Sequence, residues 1–176
     1  MNFILRQLSI EDKDQIYDLM MRRYIQLSKS PVQSRSNENV QEQFDLFINE
    51  HMHFEWVDGL PNEVNKGRAF GAFEGDELMV VLTQKFSTTR MPSWYVGNMI
   101  SCPSLKGYKK VAEYTAKLLD MAVEDAEKYG YTQFYWVTAT KAWNKREQLW
   151  YNYSDTFKRY NVFIENVIPA NTEPKF

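Results

Sequence analysis

Residues 104–119, SLKGYKKVAEYTAKLL, have the make-up of a helix start that holds an anion. Gly107 precedes Tyr108, Lys109 and Lys110, and a long amphipathic stretch follows. The first N–H groups of a helix lack intrahelical partners and lie at the positive end of its dipole, so a phosphate docks there. Glycine serves where a side chain would keep backbone from the oxygens, and this loop has one. Lys106, Lys109 and Lys110 crowd around it. A cation in a first helical turn is disfavoured by about 0.3–1 kcal/mol when exposed, which a bound anion relieves. The same lysines also suit a solvated turn with no ligand.

Other reactive side chains give weaker patterns. His51 and His53 are spaced as ligands on one strand face, but they follow a helical stretch and have no third partner. Cys102 is the only cysteine, so an internal disulfide is excluded, and a thiolate metal cluster is not expected. With no histidine motif beside it, Cys102 reads as a buried structural thiol. Glu74, Asp76 and Glu77 lie at a hairpin turn and read as surface charges.

The elements that must position these groups are legible from periodicity. A chain of 176 residues buries the core of one domain. Residues 2–8 read as a strand, and Ser9 as an N-cap with Asp12 three residues on. Ile16, Leu19, Met20, Tyr24 and Leu27 then share a helical face. A polar loop (29–36) precedes a second helix bearing Val40, Phe44, Phe47 and Ile48. Residues 58–67 are turn-rich. RAFGAF and ELMVVLTQKF flank EGD, a hairpin signal. Residues 93–102 form a third long strand in which Gly97 suggests a bulge. The helix after Gly107 aligns Val111, Tyr114, Thr115, Leu118, Ala122 and Ala126, with Gly130 as its stop. A strand (132–139), a short helix (143–153), a final strand (159–168) and an extended tail (169–176) complete the chain. The predicted architecture is one mixed α/β domain over 1–168, in the order β-α-α-β-β-β-α-β-α-β.

Composition narrows the partners. A net charge of −2 gives no electrostatic case for nucleic acid or an anionic membrane. No apolar run approaches the roughly 20 residues of a membrane helix. The opening MNFILRQLSIEDKDQ turns charged too early for a secretory signal, so a cytoplasmic protein is expected. Eleven Phe, eleven Tyr and five Trp leave ample aromatic material for core and pocket lining.

This order of elements resembles the GNAT superfamily of N-acetyltransferases, which bind acetyl-CoA. Two motifs carry the likeness. CPSLKGYKKVA matches the family's passage from its fourth strand through a proline into R-G-x-G-x-G/A, with Pro103, Lys106 at the arginine position and Gly107 at the first glycine. Asn144 and Tyr151 match an Asn after the fifth strand and a Tyr seven residues later. Lys109 and Val111 replace the second and third glycines, and the Gly-Phe that usually follows the Tyr is Asp155-Thr156.

The resemblance implies acetyl-CoA as cosubstrate and an amine acceptor that attacks the thioester directly. It implies that the coenzyme lies along Ile100, Ser101 and Cys102 at the strand end. Lys106, Gly107, Tyr108, Lys109, Lys110 and Asn144 would complete its contacts. Tyr151 would be the general acid that protonates the leaving thiolate. Helices over 10–55, the loop 87–92 and the final strand would shape the acceptor pocket. No carboxylate or histidine stands in 93–102 to serve as base. Glu55, Glu165 or a water chain remain for that role. The rival expectation is a GNAT-fold protein used for binding or assembly without catalysis. The depleted glycine loop and missing base favour it, and the aromatic richness and tail resemble GNAT-like proteins of large tailed phages.

Overall fold

The computed structural model of the chain describes residues 3–28, 40–52, 56–57, 60–61, 67–87, 93–105, 107–128, 134–135 and 153–155. They begin with β1 (Phe3–Gln7) and a 3-10 turn (Ile10–Asp12) that runs into α1 (Lys13–Ser28). Then come α2 (Val40–His51), β2 (Trp56–Val57) and β3 (Leu60–Pro61). β4 (Gly67–Glu74), β5 (Glu77–Ser87), β6 (Ser93–Ser101), α3 (Tyr108–Glu127) and β7 (Phe134–Tyr135) follow. The expected order holds through the crossover, with one addition. β2 and β3 pair antiparallel with each other, where two-residue strands are too short to show alternation. The helix expected over 143–153, apart from its last residue, lies outside the described residues. So do the final strand and the tail.

Ser9 caps the first helical turn as its sequence signature predicts. Its hydroxyl accepts from Glu11 N–H at 3.3 Å, and the Asp12 carboxylate accepts from Ser9 N–H at 2.9 Å. Arg6 closes on Asp12 with two bonds of 2.8 and 2.6 Å, which ties β1 to α1. The hydrogen bonds from Arg6 hold the Asp12 carboxyl below its ordinary value. Asp12→Ala should cost about 1–2 kcal/mol in urea unfolding at pH 7, the usual cost of a lost cap. A depressed carboxylate stabilises the fold above its unfolded value of 3.8 and loses that contribution as pH falls through the folded value. The gap between wild type and variant should therefore narrow below pH 4.

One sheet carries the strands in the order β1-β4-β5-β6-β7. β1 through β6 are antiparallel neighbours, and β6 runs parallel to β7. Glu74 pairs with Glu77 across Gly75-Asp76, and Gly75 takes φ 60°, the mirror-image turn that hairpin twist requires. β4 is buried at successive residues from Gly67 to Phe73, and β5 from Leu78 to Gln84. Burial without alternation means that both faces are covered. Space there is tight: a Cβ on Gly71 would lie 2.6 Å from Leu8 Cδ2 and 2.8 Å from Leu78 Cδ1.

Of the predicted stripes, Ile16 and Leu19 of α1 and Val40, Phe47 and Ile48 of α2 are buried, and Phe44 and Met20 pack against the core, whereas the side chains of Tyr24 and Leu27 lie outside the described residues. Val111, Tyr114, Thr115, Leu118, Ala122 and Ala126 of α3 are all buried. α3 ends at Glu127, with Lys128 as its C-cap, short of the stop expected at Gly130. Lys128 keeps helical backbone angles, so the ladder frays gradually, as helix ends do.

Candidate functional site

The bulge suggested by Gly97 is present. Leu82 pairs with Met99 while Gln84 pairs with Val96, so β6 carries one residue more than β5 in the Gly97-Asn98 stretch. An extra residue bends its strand and interrupts the ladder. Among the described residues, β6 pairs with β7 only at Trp94 and Tyr95. From Val96 onward its described partners are on the β5 side alone.

That end is firmly held. Ile100 is half-buried and Ser101 and Cys102 are buried. Cys102 N–H donates to Met79 O at 2.7 Å, where Met79 is the extra residue of β5 in its pairing with β4. The Cys102 thiol packs in the core, 3.0 Å from Ser104 Oγ, and accepts from Arg22 Nη1 at 3.2 Å. It is the buried structural thiol expected. Leu105 N–H closes a turn on Cys102 O at 3.0 Å.

Gly107 then starts α3 with φ 97° and ψ 128°. Only glycine adopts that φ without strain. Among the described residues no side chain caps the helix, and no acidic residue stands in its first turn. A Cβ on Gly107 would meet nothing within 4 Å among the described residues. The amides of the first turn thus retain their anion-binding character. Of the two lost glycines, Val111 is turned into the core and Lys109 is in solvent.

Lys110 is placed differently from Lys109. Its ammonium forms an ion pair with Glu74, at the end of β4, and the Tyr114 hydroxyl donates to the same carboxylate oxygen. Phe3 packs on Tyr114 with ring centroids 4.5 Å apart. Lys110 and then Tyr114 hold the Glu74 carboxyl below its ordinary value. Burial, aided by Glu74, pushes the Tyr114 phenol up. Of the three acids read as surface charges, Asp76 and Glu77 are exposed, whereas Glu74 is half-buried and bonded. Sequence spacing had no way to bring Glu74 to a helix 36 residues further on. Beside it, Gln15, Asp18, Arg22, Glu74, Asp76 and Glu77 line an open cleft of about 530 Å³.

α3 is fixed along the rest of its length by polar contacts at two of its residues, Asp125 and Asp120, that no local pattern reveals. Arg68 Nη1 donates to Asp125 Oδ1 at 2.5 Å, and Gln84 Nε2 to Asp125 Oδ2 at 2.9 Å, all within the interior. Asp120 accepts from the buried Ser154 hydroxyl at 2.5 Å and from Asp155 N–H at 3.3 Å. Residues 153–155 are thereby anchored to the helix, with Tyr153 against the core. Ile100, Ser101, Cys102, Gly107, Tyr108, Lys109 and Lys110 all fall on the β6–α3 passage. Lys106, Asn144 and Tyr151 lie outside the described residues, as do Glu55 and Glu165. His51, the last residue of α2, is buried with its ring edge-on to Phe47 at 5.0 Å.

No family model and no curated protein matches the sequence. Solved structures do resemble it. A PaiA N-acetyltransferase from Thermoplasma acidophilum, in complex with coenzyme A, aligns over 86% of this chain and 89% of its own, with TM-score 0.57 and 15% identity. A predicted acetyltransferase from Clostridium acetobutylicum with acetyl-CoA covers 86% and 88%, with TM-score 0.55 and 15% identity. An acetyltransferase of the GNAT family from Staphylococcus aureus covers 86% and 81%, with TM-score 0.56 and 10% identity. The mixed α/β arrangement is thus shared with these acetyltransferases, and the chain has the GNAT fold.

Proposed function

We propose that the protein is an N-acetyltransferase that moves an acetyl group from acetyl-CoA to an amine. One observation carries the reading: a bulged strand leads into a helix that starts at Gly107 and that no side chain caps among the described residues. The edge of β6 beyond Gly97-Asn98 suits the amide-bearing pantetheine arm, and the N–H groups after Gly107 suit the pyrophosphate. Val111 packs inward, so the missing third glycine does not block that approach. Coenzyme A and acetyl-CoA in two of the similar structures support the cosubstrate.

In this reading the neutral acceptor amine attacks the thioester carbonyl, and the oxyanion takes a hydrogen bond from backbone N–H near the bulge; its collapse breaks the C–S bond, Tyr151 protonates the departing thiolate, and the proton shed by the nitrogen passes to Glu55, Glu165 or a water chain. Asn144 contacts the coenzyme near its arm. Lys106 and Lys109 add positive charge around the phosphates.

Thermal unfolding with acetyl-CoA tests the reading. At 100 times its Kd the ligand adds about 2.7 kcal/mol, a rise in Tm of roughly 5–10 °C for a chain of this size. An unchanged Tm at millimolar acetyl-CoA would favour the rival reading, a GNAT-fold binding protein without catalysis, which the engagement of Lys110 by Glu74 also suits. Once binding is seen, Tyr151→Phe should lower turnover by about 10²-fold or more, the scale of general acid catalysis, with coenzyme affinity nearly intact. Turnover equal to wild type removes Tyr151 from the mechanism.

A further inference from the structure

We propose that Glu74 is a built-in competitor of the coenzyme's phosphates, holding Lys110 away from the helix end until the coenzyme displaces it. The inference rests on the coenzyme reading above and concerns the regulation of that same site. Lys110 is the third residue of α3, about 4.5 Å along the axis from the cap residue Gly107. Side chains on a helix lean toward its N-terminus, so an unoccupied ammonium on a four-carbon stem would lie over the first turn, where an anion binds. In the structure the ammonium is instead drawn to Glu74.

Glu74 is equipped to hold it. The carboxylate is fixed in place by the end of β4, where its backbone pairs with Phe3 on one side and Glu77 on the other. The Tyr114 hydroxyl, on a residue only 2% exposed, donates to the same oxygen that Lys110 contacts. Together the two donors keep Glu74 ionised at neutral pH. The ion pair is partly open to solvent, with side-chain exposures of 36% for Lys110 and 25% for Glu74, so its exchange for a phosphate needs no unfolding. Charge-assisted bonds to phosphate and to carboxylate are of similar strength, so the two anions compete on near-equal terms. The released carboxylate borders the cleft that also contains Arg22.

The test is titration calorimetry with coenzyme A at low salt on wild type, Glu74→Gln and Glu74→Gln/Lys110→Met. Glutamine keeps an acceptor for Tyr114 but drops the charge. Glu74→Gln should bind coenzyme A about tenfold more tightly, with a steeper salt dependence, and adding Lys110→Met should remove that gain. Wild type that binds while Glu74→Gln binds equally or less tightly overturns the inference and leaves the coenzyme reading standing. Failure of all three proteins to bind overturns both. A second measurement needs no variant: the ¹⁵N resonance of the Lys110 ammonium in wild type should move on adding coenzyme A, and a resonance that stays in place under saturation overturns the competition.

Discussion

Asp125→Ala should destabilise the protein by about 3–5 kcal/mol, the cost of breaking a buried ion pair from one side. The substitution leaves the Arg68 guanidinium in the interior without the carboxylate that neutralises it, on a residue 9% exposed. It also removes the acceptor of the Gln84 amide, whose oxygen already has no hydrogen-bond partner among the described residues. Urea unfolding at pH 7 measures the loss, with the m-value as a check on two-state behaviour. Arg68→Met/Asp125→Leu should recover most of it, since a well-packed apolar pair is often as stable as a buried ionic one. A loss below about 1 kcal/mol for Asp125→Ala would show that solvent reaches the pair, contrary to its burial.

Gly107→Val should separate binding from folding. At φ 97° any L-residue is strained, at a cost of about 1–3 kcal/mol, and a β-branched one is strained most. The new Cβ meets no described residue within 4 Å, so the cost to the fold expected there is backbone strain. In the coenzyme reading that space is where the pyrophosphate meets the first-turn amides, and a branched side chain there excludes it. Coenzyme affinity should fall by about tenfold or more, equivalent to at least 1.4 kcal/mol, while circular dichroism and cooperative melting persist. Undiminished affinity in a folded variant would place the phosphates elsewhere.

Much of the scaffold was legible because its signals are local. The Ser9–Asp12 cap needs four residues, the EGD hairpin needs its flanking strands, and the α3 stripe needs only the period of a helix. Gly97 marked the β6 bulge for the same reason. What stayed hidden depends on contacts between distant residues. Nothing near Arg68 or Asp125 names the other across 57 positions. Tyr114 was placed correctly in the core, but the partner of its hydroxyl lies 40 positions earlier on the sheet. Glu74 was therefore taken for a surface charge of the turn. The candidate site follows the same division: Gly107 and its helix start were visible, whereas the engagement of Lys110 was not.

The pairing of β1 with β4 also bears on how the chain folds as it is made. Phe3–Gln7 is synthesised before β4, yet Gln7 finds its partner in Phe70, Leu8 N–H bonds Ala69 O, and Phe3 packs on Tyr114. β4, β5 and β6 are joined by short connections and can pair as they emerge, at little loop-closure cost. β1 must close a much longer loop, at an entropic cost that rises with the logarithm of its length. β1, though made before β4 and β5, should thus dock after they pair, and amides of β1 should gain exchange protection later in refolding than those of the β4–β5 hairpin.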